Sequence, residues 1–320
     1  MPPEPKPAST ERVRKLTDDA LNRLAEELKA GRSDTLKAYL AAMARFHRYS
    51  WTNTILIQSQ RPTATRVAGY HTWRDLGRWV KRGEKGIAIY APIVTKVREP
   101  EASPRPSDTS NERRVTGFRA AYVFDVEQTE GKAMPAFSQT AGDPKQHLDN
   151  LKEIVATRHI ALNYDLSIAP AQGQSLGGSI RILPNLSPAE EFVTLAHELA
   201  HELLHHQPGA GAIPPTVRET QAEAFAFVLS QAIGLENQRS ASDYIALYNG
   251  DPNTLAESLT AIHRAATQIL NDLVPDTSER TETVRRLDRD ISNDFAPEVS
   301  QQLGPDAHFP EPRDAGSLER

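Results

Sequence analysis

FVTLAHELAHELLHH, residues 192–206, decides how this chain is read. Within it, His197-Glu198-Leu199-Ala200-His201 places two histidines four positions apart. On a helix that spacing sets both rings on one face, one turn from each other, so both can reach a single metal ion. A glutamate directly after the first histidine then lies beside the ion, where its carboxylate can act as general base toward a water. Phe192, Val193, Leu195, Ala196, Leu199, Ala200, Leu203 and Leu204 are too many apolar residues for a solvated surface helix. The helix is therefore expected to be largely buried, and buried histidines need polar partners.

The pattern occurs twice, because His201-Glu202-Leu203-Leu204-His205 repeats it one turn later. The first register lies deeper in the apolar run. The second runs into His206, Gln207, Pro208 and Gly209, where a helix ends. A site needs rigid support, so His197 and His201 are the expected ligands and Glu198 the base. His205 and His206 read as last-turn residues that complement the negative end of the helix dipole.

A catalytic zinc ordinarily takes three protein ligands and leaves one position open. After a Gly/Pro-rich reversal, QPGAGAIPPT (207–216), a second helical pattern runs from 217 to 235. Pro214 and Pro215 suit its start and Gly234 its end. Packed back on the first helix, its early turns approach the histidines. Two carboxylates there compete, Glu219 and Glu223, four apart on one face. Glu219 is favoured as ligand, with Glu223 orienting a ligand histidine through its other ring nitrogen. The chain has no cysteine, so the ligand set is nitrogen and oxygen. Such a set suits Zn2+ and also accepts Mn, Co or Fe.

The pairing of HELAHELLHH with RETQAEAFAFVLSQAIGL resembles the gluzincin-type domains of ImmA/IrrE-like proteins, and most of all the C-terminal half of the ArdC antirestriction family. That resemblance implies a third-ligand glutamate three positions before the alanine of an E-x-x-A-[ND]-x-F-A pattern, which is Glu219 before Ala222, with Phe225-Ala226 completing the match. Glu223 stands where the pattern has Asn or Asp, a departure that keeps a carboxylate.

Composition sets the remaining bounds. The chain has 320 residues, 38% hydrophobic and 25% charged, with a net charge of −5. That length suits two domains. Absence of cysteine excludes disulfides and fits a cytoplasmic protein. The stretch MPPEPKPASTERVRK has no apolar core, so it does not read as a secretory signal, and no apolar run approaches a membrane span.

The expected class is α+β with two domains. Residues 1–9 are expected to be disordered, 10–134 to form a helix-plus-small-antiparallel-sheet domain, 135–145 a linker, 146–290 a mostly helical zincin-like domain with a small sheet, and 291–320 a disordered tail. Helical patterns cover about 10–29, 33–46, 52–60, 72–81, 145–158, 240–249 and 252–290. Segments 86–97 and 115–131 read as antiparallel strand partners, and 98–113 as an exposed loop. Further strands are expected near 160–168 and 178–184. GGSIRILP (177–184), just before the metal helix, is read as the edge strand over the site.

Residues 45–90 carry nine Arg/Lys against two acids, in a chain that is acidic as a whole. All three tryptophans, Trp51, Trp73 and Trp79, fall in this window. Cations that neutralise phosphates, interleaved with aromatic faces that stack bases, suit single-stranded nucleic acid. GYHTWRDLGRWVKRGEKGIAIYAPI (69–93), with WTNTILIQSQRP before it and FRAAYVFDVEQTEG after it, resembles the N-terminal domain of ArdC-type antirestriction proteins and related plasmid primase N-termini. The resemblance implies binding of single-stranded DNA without strong sequence preference. Trp73, Arg74, Arg78, Lys81, Arg82 and Lys85 are the expected DNA contacts. Asp125 and Gln128 could equally be structural.

The resemblance implies an antirestriction protein that binds single-stranded, incoming plasmid or mobile-element DNA and carries a zinc metalloprotease-like domain. Glu198 would take a proton from zinc-activated water and deliver it to the leaving amine. Tyr244, Tyr248 and His263 are candidates to stabilise the oxyanion. The rival readings are a DNA-activated protease acting on DNA-bound or regulatory proteins, and a pure DNA-binding protein with a structural zinc.

Overall fold

Serine caps start two of the first three helices. Ser9 accepts from the Arg12 amide at the head of α1 (Thr10–Lys29), and Ser50 accepts from the Asn53 amide at the head of α3 (Trp51–Gln60). Between them lies α2 (Asp34–Arg45). The computed structural model describes residues 9–96, 113–133, 144–206, 213–235 and 252–273. The expected helix at 240–249, the distal part of 252–290, the loop at 98–113 over most of its length, and both terminal segments lie outside the described residues, as do Tyr244 and Tyr248.

The first sheet has the order β1 (Val67–Gly69), β4 (Arg113–Asp125), β3 (Ile87–Lys96), all antiparallel. The two alternating segments predicted to pair do so, with Ile87 opposite Val123 and Ile89 opposite Ala121. The free edge of β3 is satisfied by side chains of α3. The Asn53 amide exchanges two hydrogen bonds with the Tyr90 backbone, at 2.8 and 2.9 Å, and the Gln60 amide does the same with Ala88, at 2.9 and 3.0 Å. Amide side chains thus stand in for a fourth strand at Ala88 and Tyr90 and cover that part of the edge against pairing with another chain.

The helix expected at 72–81 is shorter than its pattern suggests. It is α4 (Tyr70–Asp75), because Gly77 adopts a left-handed conformation (φ 73°) that ends it. Arg78–Val80 then forms β2, paired with β5 (Thr129–Gly131) as a two-stranded ribbon. The segment predicted as one strand over 115–131 breaks at Asp125. That carboxylate is fully buried, accepts from the amides of Thr65 (2.9 Å), Arg66 (3.1 Å) and Glu127 (3.2 Å), and lies 3.5 Å from Arg61 Nε. Gln128 accepts from the Asp125 amide and donates to the Glu84 carboxylate and the Lys85 carbonyl. Both residues hold the turn together.

Downstream come α5 (Pro144–Thr157), β6 (Ala161–Tyr164), β7 (Gly173–Ser175), β8 (Ser179–Ile182), α6 (Pro188–Leu204), α7 (Pro215–Ala232) and α8 (Pro252–Leu273). The order of this sheet is β6-β8-β7. The strand expected at the edge over the site, within 177–184, is therefore the central one. The edge beside α6 is β7, which carries no hydrophobic residue in Gly173-Gln174-Ser175 and so gives no strand signal.

The architecture is α+β, with mixed helices and small sheets. Leu24, Leu28, Leu36, Leu40 and Met43 of the first two helices share one apolar core with Leu195 and Leu199 of α6, Phe225 and Val228 of α7, and Leu259, Ile262 and Ile269 of α8. Thr267 of α8 also donates to the His47 carbonyl at 2.8 Å. A second cluster joins Val13, Phe46, Leu56, Ile57, Ile87, Ile89 and Val123 under the first sheet. Among the described residues no helix is long and apolar enough to cross a membrane.

Candidate metal centre

Ser187 and Glu190 form a reciprocal capping box at the start of α6, followed by Pro188 in the first turn. The apolar face of α6 is buried, which fixes the rotation of the helix. His197 and His201 therefore point together toward the first turns of α7. Their Nε2 atoms lie 3.2 Å apart. Glu219 of α7 completes a triangle, with one oxygen 3.4 Å from His197 Nε2 and the other 3.6 Å from His201 Nε2. Tetrahedral zinc with bonds of about 2.0–2.1 Å to nitrogen and oxygen spaces its donors about 3.3–3.4 Å apart. The triangle has that size, and its donors are nitrogen and oxygen only. Among the described residues this trio is the group that could hold an ion, and its acidic member is the exposed one.

Glu223 lies on the other side of the first histidine, 3.5 Å from His197 Nδ1, with its second oxygen buried and unpartnered. Burial alone would lower the His197 pKa. The Glu219 and Glu223 carboxylates outweigh it and raise it to about 9. His201 is pushed the other way, to about 4, by burial and by the charge of His197. His197 thus keeps a proton at neutral pH, which a cation bound there would have to displace.

Glu198 is buried on the adjoining side of α6, and that burial raises its pKa to about 6, against the opposing pull of His197. It lines a cleft of about 220 Å³ with Gln172, Gly173, Thr194, His197 and Glu223. Gly173 is what lets β7 come this close. A Cβ there would sit 2.6 Å from Glu198 Oε1 and 2.8 Å from the Thr194 methyl. His263, a candidate for the oxyanion role, is not among the lining residues. It interacts with His47 and the Tyr49 backbone, and burial lowers its pKa to about 4.

The second HExxH register has work of its own. Glu202 is buried and accepts from Ser175 Oγ (2.6 Å) and from the amides of Leu176 (3.2 Å), Gly177 (2.9 Å) and Gly178 (2.6 Å). It grips the β7–β8 turn and fastens that strand to the metal helix. Burial would raise its pKa, but the hydrogen bonds from Ser175, Gly178 and Gly177 win and hold it low. A depressed folded pKa gives stability that is complete above the ordinary value of 4.5 and lost as pH falls through the folded one. Glu202→Ala is expected to cost about 1–3 kcal/mol by stranding these donors. Urea melts at neutral pH measure this cost, and it should shrink in acid. His205, read from sequence as a dipole-complementing residue, is instead buried and bonded to His201 and Gln221.

The expected DNA contacts separate into two groups. Trp73 is fully buried and donates Nε1–H to the Phe124 carbonyl at 2.8 Å, so it has no face for a base. The guanidinium of Arg78 is taken up by Thr129 Oγ1 (2.8 Å), the Thr129 carbonyl (2.9 Å) and the carbonyls of Val126 and Lys132. Arg74, Lys81, Arg82 and Lys85 are exposed, though Lys81 donates to the Glu127 carbonyl. Trp79, named in the basic window but left out of the expected contacts, is 50% exposed on β2. Its indole lies over Gly131, where a Cβ would come within 2.9 Å of the ring. Alternation supplies the missing signal, since along a ribbon strand Trp79 faces away from the side on which Arg78 and Val80 pack.

Two family models match the chain. The N-terminal domain of anti-restriction factor ArdC matches residues 14–124, and the IrrE N-terminal-like domain, a Peptidase_M78 family, matches residues 153–244. An uncharacterized protein of Bacillus anthracis is 25% identical over a 278-residue alignment that covers 74% of this chain and 47% of the relative. The chain thus spans about half the length of that curated relative. Two crystal structures of the antirestriction ArdC protein from plasmid R388 share the fold at 18% identity and a TM-score of 0.51. The metal-free one covers 81% of this chain and 98% of its own, and the Mn(II)-bound one 82% and 99%. The chain therefore has the ArdC-like two-domain architecture, an ArdC-type N-terminal domain joined to an IrrE-like domain.

Proposed function

We propose that this is an antirestriction protein that holds single-stranded DNA on its N-terminal part, residues 10–134, and carries a zinc-dependent peptidase centre in residues 146–290. The observation that carries the reading is the triangle of His197, His201 and Glu219, with the buried Glu198 carboxylate in the cleft beside it. His197, His201 and Glu219 would hold the ion, and Glu223 would fix the His197 ring through Nδ1. A bound divalent cation supplies Lewis acidity that activates water and polarises a carbonyl. Glu198 would take a proton from water at its carboxylate and return it to the departing nitrogen. Its raised pKa suits both halves of that exchange near neutrality. The Mn(II)-bound relative supports a divalent ion, and the nitrogen-rich donor set favours zinc.

For DNA, the exposed indole of Trp79 offers a stacking platform, and Arg74, Lys81, Arg82 and Lys85 in the same stretch of chain, with Lys132 just after β5, are exposed cations. Cationic neutralisation and stacking together recognise a strand without reading its sequence.

One experiment tests both halves. Metal content is measured by mass spectrometry on the wild type and His197→Ala, beside oligonucleotide affinity over a salt series for the wild type and Trp79→Ala. The expected result is a stoichiometric divalent ion lost in His197→Ala. Trp79→Ala should weaken binding by about 1–3 kcal/mol. Duplex binding equal to single-strand binding, or a wild type that takes up no metal, would overturn the corresponding half.

A further inference from the structure

We propose that His205, Gln221 and Ser258 form a positioning relay that keeps the proton of His201 on Nδ1 and leaves Nε2 bare for the ion. The inference rests on the metal centre proposed above. His201 turns Nε2 toward His197 and Glu219, and its Nδ1 lies 2.9 Å from His205 Nδ1. His205 Nε2 lies 3.0 Å from Gln221 Oε1. Gln221 Nε2 donates to Ser258 Oγ on α8 at 2.9 Å. His205, Gln221 and Ser258 are all buried.

The proton positions follow one from another. An amide oxygen only accepts, so His205 carries its proton on Nε2. A neutral imidazole has a single N–H, so His205 Nδ1 is a lone pair and accepts from His201 Nδ1–H. His201 Nε2 is then bare, and it is the nitrogen that faces Glu219 and His197. Turning the Gln221 amide over reverses the series. Its NH2 would donate to His205, His205 Nδ1–H would donate to His201, and a proton would occupy His201 Nε2, where the ion must bind. In the competent orientation the amide nitrogen donates to Ser258 Oγ. The two histidine ligands are thus oriented by different means, His197 by a carboxylate and His201 by a neutral chain that ends on another helix.

The test uses the full chain. Zinc affinity is measured by competition with a chromophoric chelator for the wild type, Gln221→Leu and Gln221→Glu, in mildly alkaline buffer, with metal-free melting as the control for folding. Histidine tautomers are read in the metal-free wild type by 15N NMR. Gln221→Leu is expected to weaken zinc binding roughly 10–100-fold. Gln221→Glu keeps an acceptor oxygen on His205 and is expected to stay close to wild type. NMR is expected to find the proton of His201 on Nδ1 and that of His205 on Nε2. A wild type that binds no zinc overturns the metal centre itself. A wild type that binds, with Gln221→Leu equally tight or with both variants equally weakened, overturns the relay alone. If Gln221→Leu does not fold, a proton found on His201 Nε2 in the wild type overturns it.

Discussion

Glu198→Gln is expected to keep its metal and to lose hydrolysis by about two to four orders of magnitude, the usual contribution of a positioned general base. The amide has nearly the same shape but cannot take a proton. Glu198 is not one of the three side chains whose donor atoms converge, so metal content should be unchanged. In the wild type, burial raises the carboxyl pKa, so the base form becomes available as pH rises out of the acid range and the rate should climb with it. The measurement is metal content by mass spectrometry beside cleavage of a peptide library, with and without single-stranded DNA. A variant that cleaves as well as wild type removes Glu198 from the chemistry. Unchanged DNA protection by the inactive variant would mean that strand capture alone protects, with the metal acting as a staple.

Asp125→Ala is expected to destabilise the protein by about 3–5 kcal/mol, because each amide left without its acceptor costs about 1–3 kcal/mol. Three backbone amides and the Arg61 guanidinium converge on this fully buried carboxylate. Total stability of a folded protein is only about 5–15 kcal/mol, so the loss is a large share of it. The turn that Asp125 holds leads into β5, the partner of the strand bearing Trp79, so oligonucleotide binding should fall together with stability. Urea unfolding followed by tryptophan fluorescence gives the number. A change below about 1 kcal/mol would show that water satisfies those amides as well as the carboxylate does.

What could be read from the residues alone follows from periodicity. The apolar stripe of α6 and the spacing of its histidines both repeat with the helix, so helix, burial and convergence could be anticipated together. The prolines heading α7 and the alternation in β3 and β4 were equally readable. The rest depended on partners distant in sequence. Gly173-Gln174-Ser175 has no strand-forming residue, and β7 exists because Glu202 anchors the turn beyond it. Trp73 and Trp79 sit in the same basic window, and only the fold makes one a core residue and the other a surface. His205 looks like a solvated helix end until Gln221, sixteen positions away, supplies its acceptor.

The shared packing of α1 and α2 with α6, α7 and α8 has a practical consequence for dissecting the molecule. Cutting the polypeptide between the two family-matched segments would not liberate a self-sufficient C-terminal domain. The C-terminal fragment would display to water the patch that Leu36, Leu40 and Met43 normally cover, and should be sticky and soft. Heating the intact chain should accordingly give one cooperative melt rather than two, and genetic fusions that transplant either half would need to bring the opening helical pair along with the metal-bearing half.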